Sequence, residues 1–487
     1  LSLKDGHVLT AYEGRHTSEK ENLTMGIKKS GKKTRRFIGG CTLGAVAMVI
    51  VVVALLLGGP DMEPKLKAQF DTAEAAYRAG KFTEAEAAYL KARELAPENP
   101  LILARLGEIA LWNNRPEDAE RYFGEALRNT PWYENFWPLN TQLKYRLASA
   151  NYRQDHFAQA SQYFREAAGP VSLGPFRELN TFSQHTALFA NETPYSIEGP
   201  EQSRVDFVVT DPLPVVQVSI NGSEPLYFFI DTGGAEVILD KKVAEQLGAE
   251  MAGAFSATYG GQKTAETGLG RVDSLQIGDY VVRNIPIFTL NITDSVSPIF
   301  NGLEIKGVIG TRLLMHFLST LDYANGTLIL RRVSPENLQN LETQISANGA
   351  KVIPFWLIDM HYIMAQGTVN NQAPTLFFVD TGLAGKGFTA PEHFLQAAGI
   401  TVDWTKATEG PGGGGKVKAT DIVVERLTLG TGANEIVENN VPGVAIENSA
   451  PVLGDQLGFR VGGLISHQFF RKYAITFDFT GMRLIIQ

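Results

Sequence analysis

The stretch Leu226-Tyr-Phe-Phe-Ile-Asp-Thr-Gly-Gly234 constrains this chain more than any other, because an apolar strand running straight into an acid, a hydroxyl and a glycine occurs twice. Leu376-Phe-Phe-Val-Asp-Thr-Gly382 repeats the order of residue types, with Asp380 placed 149 positions after Asp231. An apolar strand ending in Asp-Thr-Gly sets a carboxylate on a tight turn at the edge of a buried sheet, where glycine lets a partner backbone come close. Two such turns can bring two carboxylates face to face. A single Asp-Thr-Gly carries little weight, whereas two copies behind matching strands and ahead of matching downstream segments argue for a duplicated lobe.

These residues resemble the pepsin/retropepsin class of aspartic proteases, especially the retropepsin-like domains of bacterial membrane proteins, over about residues 205 to 487. The resemblance implies an all-β bilobal acid-protease fold, with lobe one at 205–333 and lobe two at 348–487. It assigns Asp231 and Asp380 as the catalytic pair, and Thr232, Gly233, Thr381 and Gly382 as the loops around them. In that family an apolar-apolar-Gly segment packs beneath each loop. Lobe one supplies it as Val308, Ile309 and Gly310; lobe two supplies Leu464, Ile465 and Ser466, so a serine stands where the family has glycine. The residue after Asp-Thr-Gly also departs from many relatives, being Gly234 in one lobe and Leu383 in the other. A glycine-containing hairpin follows each loop, and the resemblance makes these the flaps over substrate: Tyr259, Gly260 and Gly261 in lobe one, Gly410 to Gly415 in lobe two. Tyr259 is expected at the tip.

The stretch Gly410 to Lys416 approaches a phosphate-binding loop, but Val417 offers no hydroxyl for magnesium and the residues after it read as a strand. A phosphate loop should open a helix, so no nucleotide site is expected. The histidines form no His-Glu-x-x-His pattern, and the single cysteine, Cys41, excludes an intrachain disulfide and the usual thiolate metal sites. No metal or cofactor is expected.

Ahead of the duplicated lobes the chain changes character three times. Residues 1–36 read as a disordered, basic cytoplasmic tail. Phe37 to Pro60 contains no charged residue and is long enough for a transmembrane helix. Six basic residues before it and Asp61 and Glu63 after it favour a cytoplasmic N-terminus, with the C-terminal domains periplasmic or extracellular. Residues 64–170 then repeat with helical spacing: Ala73, Ala85, Tyr89, Ala92 and Pro97 recur 34 residues on as Gly107, Ala119, Phe123, Ala126 and Pro131. A looser third copy follows. This pattern resembles tetratricopeptide repeats, in which paired helices touch at small residues and aromatics fill the gaps. The repeats contain no evident convergent titratable cluster, which assigns them to recruitment of a protein partner. A chain starting near residue 200 is accordingly expected to keep its activity. Residues 171–204, rich in proline, read as a linker, and a second linker is expected near 334 to 347.

The net charge of -8, with no basic surface expected outside the short N-terminal run, argues against a nucleic-acid partner. The expectation is a membrane-anchored aspartic endopeptidase acting on a peptide or protein substrate. The alternative is a catalytically inactive, protease-like peptide-binding or scaffold protein that works through its repeats.

Overall fold

The computed structural model describes residues 62–130, 138–169, 177–259, 262–449 and 457–487. The apolar stretch Phe37 to Pro60 lies outside the described residues. Among those that are described, no helix is long and apolar enough to cross a membrane.

The repeats form three antiparallel helix pairs: α1 (Pro64–Arg78) with α2 (Phe82–Leu95), α3 (Pro100–Trp112) with α4 (Pro116–Asn129), and α5 (Pro138–Arg153) with α6 (Phe157–Ala168). Small residues let the helices approach. A side chain at Gly107 would meet the Phe123 ring at 2.5 Å, and Ala73, Ala85, Ala119 and Ala148 are wholly buried. Pro100 opens α3 behind Asn99, whose side chain accepts from the backbone N–H groups of Leu101 and Ile102. Such a cap satisfies donors that the first helical turn leaves free.

The stretch expected to be a linker holds structure instead. Residues Arg177–Ala187 form α7, which packs on α6 and on the strand Glu250–Tyr259 through Phe182 and Phe255, whose ring centroids lie 5.2 Å apart. Strand Gln202–Asp206 then pairs with Thr327–Arg332. The proline content was misleading because prolines flank these elements and do not interrupt them. The second expected linker is likewise a helix, Pro335–Asn348, capped by Ser334 and ended by Gly349 at φ 61°.

Each lobe is built on the same device. A hairpin turns at Asn221-Gly222, both with positive φ, and delivers strand Leu226–Ile230 into the first Asp-Thr-Gly loop. That strand runs parallel to Ile305–Ile309, as Thr375–Val379 runs parallel to Val461–Ile465 in lobe two. The lobes also share a sheet. Strand Phe317–Asp322 of lobe one pairs with Ala474–Asp478 of lobe two, and the Thr320 and Thr476 hydroxyls meet across the seam at 2.7 Å. Pairing of the lobes within one chain is therefore built into the backbone hydrogen bonding.

The helical domain does not stand apart from the lobes. Tyr77, Phe82 and Trp112 close around Phe459 of lobe two, with ring centroids 6.2, 5.0 and 5.5 Å away. Trp356, Tyr362 and Leu376 of lobe two belong to that same apolar core. Burial of aromatic rings on this scale stabilises by roughly 1.5–3 kcal/mol per side chain, so the contact is a core and not a passing surface. A buried charge network also runs through the repeats, contrary to the sequence expectation. Arg105 pairs with Glu74 at 2.9 Å and with Glu108 at 3.1 Å, and Arg146 joins Glu108 to Asp359 of lobe two.

Candidate active site

The two Asp-Thr-Gly loops meet back to back. The backbone N–H of Thr232 donates to the Thr381 hydroxyl at 3.0 Å, and that of Thr381 donates to the Thr232 hydroxyl at 3.0 Å. Each hydroxyl donates onward into the other lobe's strand: Thr232 to the Val379 carbonyl at 2.9 Å, Thr381 to the Ile230 carbonyl at 3.3 Å. Both threonines are fully buried, so these four bonds lock the loops in a dry seam.

The lock sets the acids. Asp231 Oδ1 accepts from the N–H of Gly233 at 2.7 Å, and Asp380 Oδ1 accepts from that of Gly382 at 2.8 Å. Each glycine lies under the opposite carboxylate: a Cβ on Gly233 would fall 2.4–2.6 Å from the Asp380 carboxyl, and one on Gly382 2.3–2.4 Å from that of Asp231. The glycines are required here because any side chain would occupy the space of an acid. Burial pushes both carboxyls up from the usual carboxylate range, and the charge of Asp231 pushes Asp380 further. Two largely buried carboxylates held against each other retain a proton between them.

A parallel strand lies beneath each loop. The N–H of Asp231 donates to the Ile309 carbonyl at 3.0 Å, and that of Asp380 to the Ile465 carbonyl at 3.0 Å. Val308 lies in the same parallel strand as Ile309, and Leu464 in that of Ile465. Gly310 has no room for a side chain, since a Cβ would stand 2.1 Å from the Glu236 carbonyl oxygen. Ser466 does not crowd its loop. Its buried hydroxyl accepts the N–H of Leu383 at 3.0 Å, so the two positions that depart from the family pattern satisfy one another.

Tyr259 is the last residue of its strand and pairs with Lys263; Gly260 and Gly261 lie outside the described residues. The Tyr259 hydroxyl bonds the Thr267 hydroxyl at 2.8 Å across the hairpin. Its ring shares an apolar cluster with Phe229 and with Ala384 of the Asp380 loop. Gly413, in the glycine run of lobe two, lies so close to this ring that a Cβ would be 2.6 Å from it. The two glycine hairpins thus touch each other. Beyond the lobe-two run the chain continues as strand Val417–Leu429, in keeping with the absence of a phosphate loop.

Sequence reasoning missed a second layer behind the Asp231 loop. Glu236 is wholly buried, accepts the Tyr152 hydroxyl at 2.6 Å and the Tyr195 hydroxyl, and lies 3.8 Å from Arg312 Nε. Burial raises its carboxyl to about 7 even though Arg312 opposes the shift. Arg312 immediately follows the Val308-Ile309-Gly310-Thr311 support, and its backbone N–H donates to the Ala235 carbonyl at 2.9 Å. His361, buried in lobe two, faces the backbone of Gly233, and burial holds its imidazole well below the usual range and hence neutral. An acid inside the apolar run Ala235 to Leu239 was the one available signal for this layer. Nothing local in the sequence marks His361.

Two family models match the chain. The aspartyl protease model matches residues 216–313 and 365–464, and the tetratricopeptide repeat model matches 62–100, 70–133 and 105–175. The chain therefore carries an aspartyl protease domain in two lobes, preceded by tetratricopeptide repeats. Similar solved structures include the N-terminal domain of stress-induced protein-1 (STI-1) from C. elegans, 19% identical, covering 26% of this chain and 98% of that chain at a TM-score of 0.23. The Sgt2 TPR domain from Aspergillus fumigatus is 18% identical, covering 27% of this chain and 87% of that chain at a TM-score of 0.23. No curated protein matches the chain.

Proposed function

We propose that the protein is a membrane-anchored aspartic endopeptidase that hydrolyses peptide bonds with Asp231, Asp380 and a water held between them. The observation that carries this reading is the reciprocal threonine lock, which leaves each carboxylate facing the other across the opposite loop's glycine. The upward push on both carboxyls supports a single proton shared by the pair. The ionised partner takes a proton from the water, the oxygen attacks the peptide carbonyl carbon, and the protonated partner donates a hydrogen bond to the developing oxyanion. Collapse of the tetrahedral species breaks the C–N bond as a proton passes to the leaving amine. The hydrogen bond from the Leu383 N–H to the Ser466 hydroxyl supports a loop that accommodates both departures from the family pattern. The uncharged stretch Phe37 to Pro60, with basic residues before it, supports a single membrane span with the lobes on the non-cytoplasmic side.

The test is replacement of either acid by Asn. Each single variant should lose nearly all turnover of a susceptible peptide, and the double variant little more, because the pair acts as one unit. Wild type should show a bell-shaped pH profile. Activity falls toward acid as the ionised partner is protonated, and toward base as the shared proton is lost. A folded wild type that cuts nothing in a broad peptide mixture, and is not stabilised by a hydroxyl-bearing transition-state mimic, would decide against the proposal.

A further inference from the structure

We infer that the third helix pair is a positioning element of the active site: Tyr152, Arg153 and Asp155, at the end of α5, hold the Asp231 loop in register with the opposite lobe. This rests on the aspartic-protease reading above and extends it to the role of the repeats. The Asp231 loop is gripped at three successive points. Gly233 is met by His361, the Ala235 carbonyl by the Arg312 N–H, and the Glu236 carboxylate by two tyrosine hydroxyls.

Each grip leads back to the repeats. Tyr152 donates directly to Glu236. Arg312, only 1% exposed, gives its guanidinium to the Asp155 carboxylate, to the Tyr152 carbonyl at 3.1 Å and to the Arg153 carbonyl at 3.3 Å. His361 sits on a hairpin of lobe two that the repeats also hold. Arg153 donates to the Leu357 carbonyl at 3.2 Å and to that of Asp359, and Arg146 pairs with the Asp359 carboxylate at 3.1 Å. One helix end therefore bridges both lobes behind the acids.

The other loop has no such arrangement. Counting from each acid, the position of Glu236 is Gly385 in lobe two, and counting from each support, that of Arg312 is Gln468. Gly385 donates to the Pro212 carbonyl and Gln468 to the Lys386 carbonyl, both within the lobes. Only the Asp231 loop carries a buried carboxylate beside a buried guanidinium. Burying groups of this kind costs several kcal/mol of desolvation, and losing a hydrogen-bond partner leaves that cost uncompensated. Here Tyr152 donates to Glu236 and Asp155 accepts from Arg312 Nη2, while Arg312 Nε has no hydrogen-bond partner among the described residues, so the loop depends on these bonds from the repeats and their removal releases it and not merely the interface.

The test compares full-length Tyr152→Phe and Asp155→Asn with Tyr89→Phe, which deletes a buried tyrosine–glutamate bond wholly inside the repeats. Tyr152→Phe and Asp155→Asn should lower kcat roughly tenfold or more with KM within about twofold, as expected when reacting groups are displaced and binding is not. Tyr89→Phe should lower the melting temperature by a similar amount and leave kcat near wild type. Hydrogen exchange over residues 226–240 should quicken in the first two variants and stay unchanged in the third. Equal exchange in all three, or a kcat loss that tracks melting temperature across them, overturns the inference. The exchange measurement does not depend on activity. A wild type that cuts no peptide thus refutes the protease reading while the role of the helix end is still judged, and Asp231→Asn should abolish turnover without quickening exchange.

Discussion

Glu236→Gln offers the sharpest quantitative test of the layer behind the Asp231 loop. The carboxyl is wholly buried among the Tyr152 and Tyr195 hydroxyls, with Arg312 as its one close cation and Asp155 as a further anion shared through Arg312. Its ordinary value of 4.5 is raised to about 7, with burial as the largest cause. Between these values the unfolded chain has released the proton and the folded chain still holds it, so stability present below about pH 4.5 is lost as pH rises toward 7. At about 1.4 kcal/mol for each pKa unit, the loss is about 3 kcal/mol by pH 7 and constant above it.

Glutamine keeps the shape of the neutral acid without its titration. Glu236→Gln should therefore match wild type in stability near pH 4 and exceed it by about 3 kcal/mol at pH 8. With an unfolding entropy of roughly 0.9 kcal/mol/K for a chain of this size, that is a melting temperature higher by about 3 °C. The assay is thermal unfolding of both proteins from pH 4 to 8, read as the difference between them, which cancels titrations common to both. A difference that does not change with pH, or a variant less stable than wild type at pH 8, would refute the assignment of a raised carboxyl at this position.

Three further outcomes follow from the site and the proposed topology. Gly382→Ala should cut turnover by about a hundredfold or more in kinetic assays while the protein stays folded by circular dichroism, because the new Cβ falls on the Asp231 carboxylate. Ser466→Ala strips the partly buried Leu383 N–H of its acceptor and should destabilise by about 1 kcal/mol in chemical denaturation, where no change would mean that the bond is not formed. For topology, protease added to the outer face of opened cells should degrade residues beyond 61, and complete protection would place the lobes on the other side.

The lobes were legible because their constraints are local and repeated. An apolar strand, an acid and a glycine must follow one another in sequence for the turn to form, and the downstream apolar pair must sit where a parallel strand can reach it. Asp231, Thr232, Ile309 and their lobe-two counterparts could therefore be named before any coordinate. What stayed hidden depends on contacts between distant segments. The 171–204 stretch read as a linker because α7 is anchored by Phe182 against Phe255, and Gln202–Asp206 by pairing with Thr327–Arg332, neither of which leaves a periodic mark. The contacts between the repeats and the Asp231 loop stayed hidden for the same reason. Arg312 and Asp155 lie 157 residues apart, Tyr152 and Glu236 84 apart. Each looks like an ordinary surface or core residue within its own segment. Their meaning arises only when α5 is laid across both lobes, and a buried guanidinium then finds its carboxylate in another domain. A chain starting near residue 200 would lack Tyr195, Tyr152 and Asp155 together and would expose Trp356 and Phe459 to water. The helices thus share a core with the lobes, and through Tyr152 and Asp155 the repeats line the environment of the Asp231 loop.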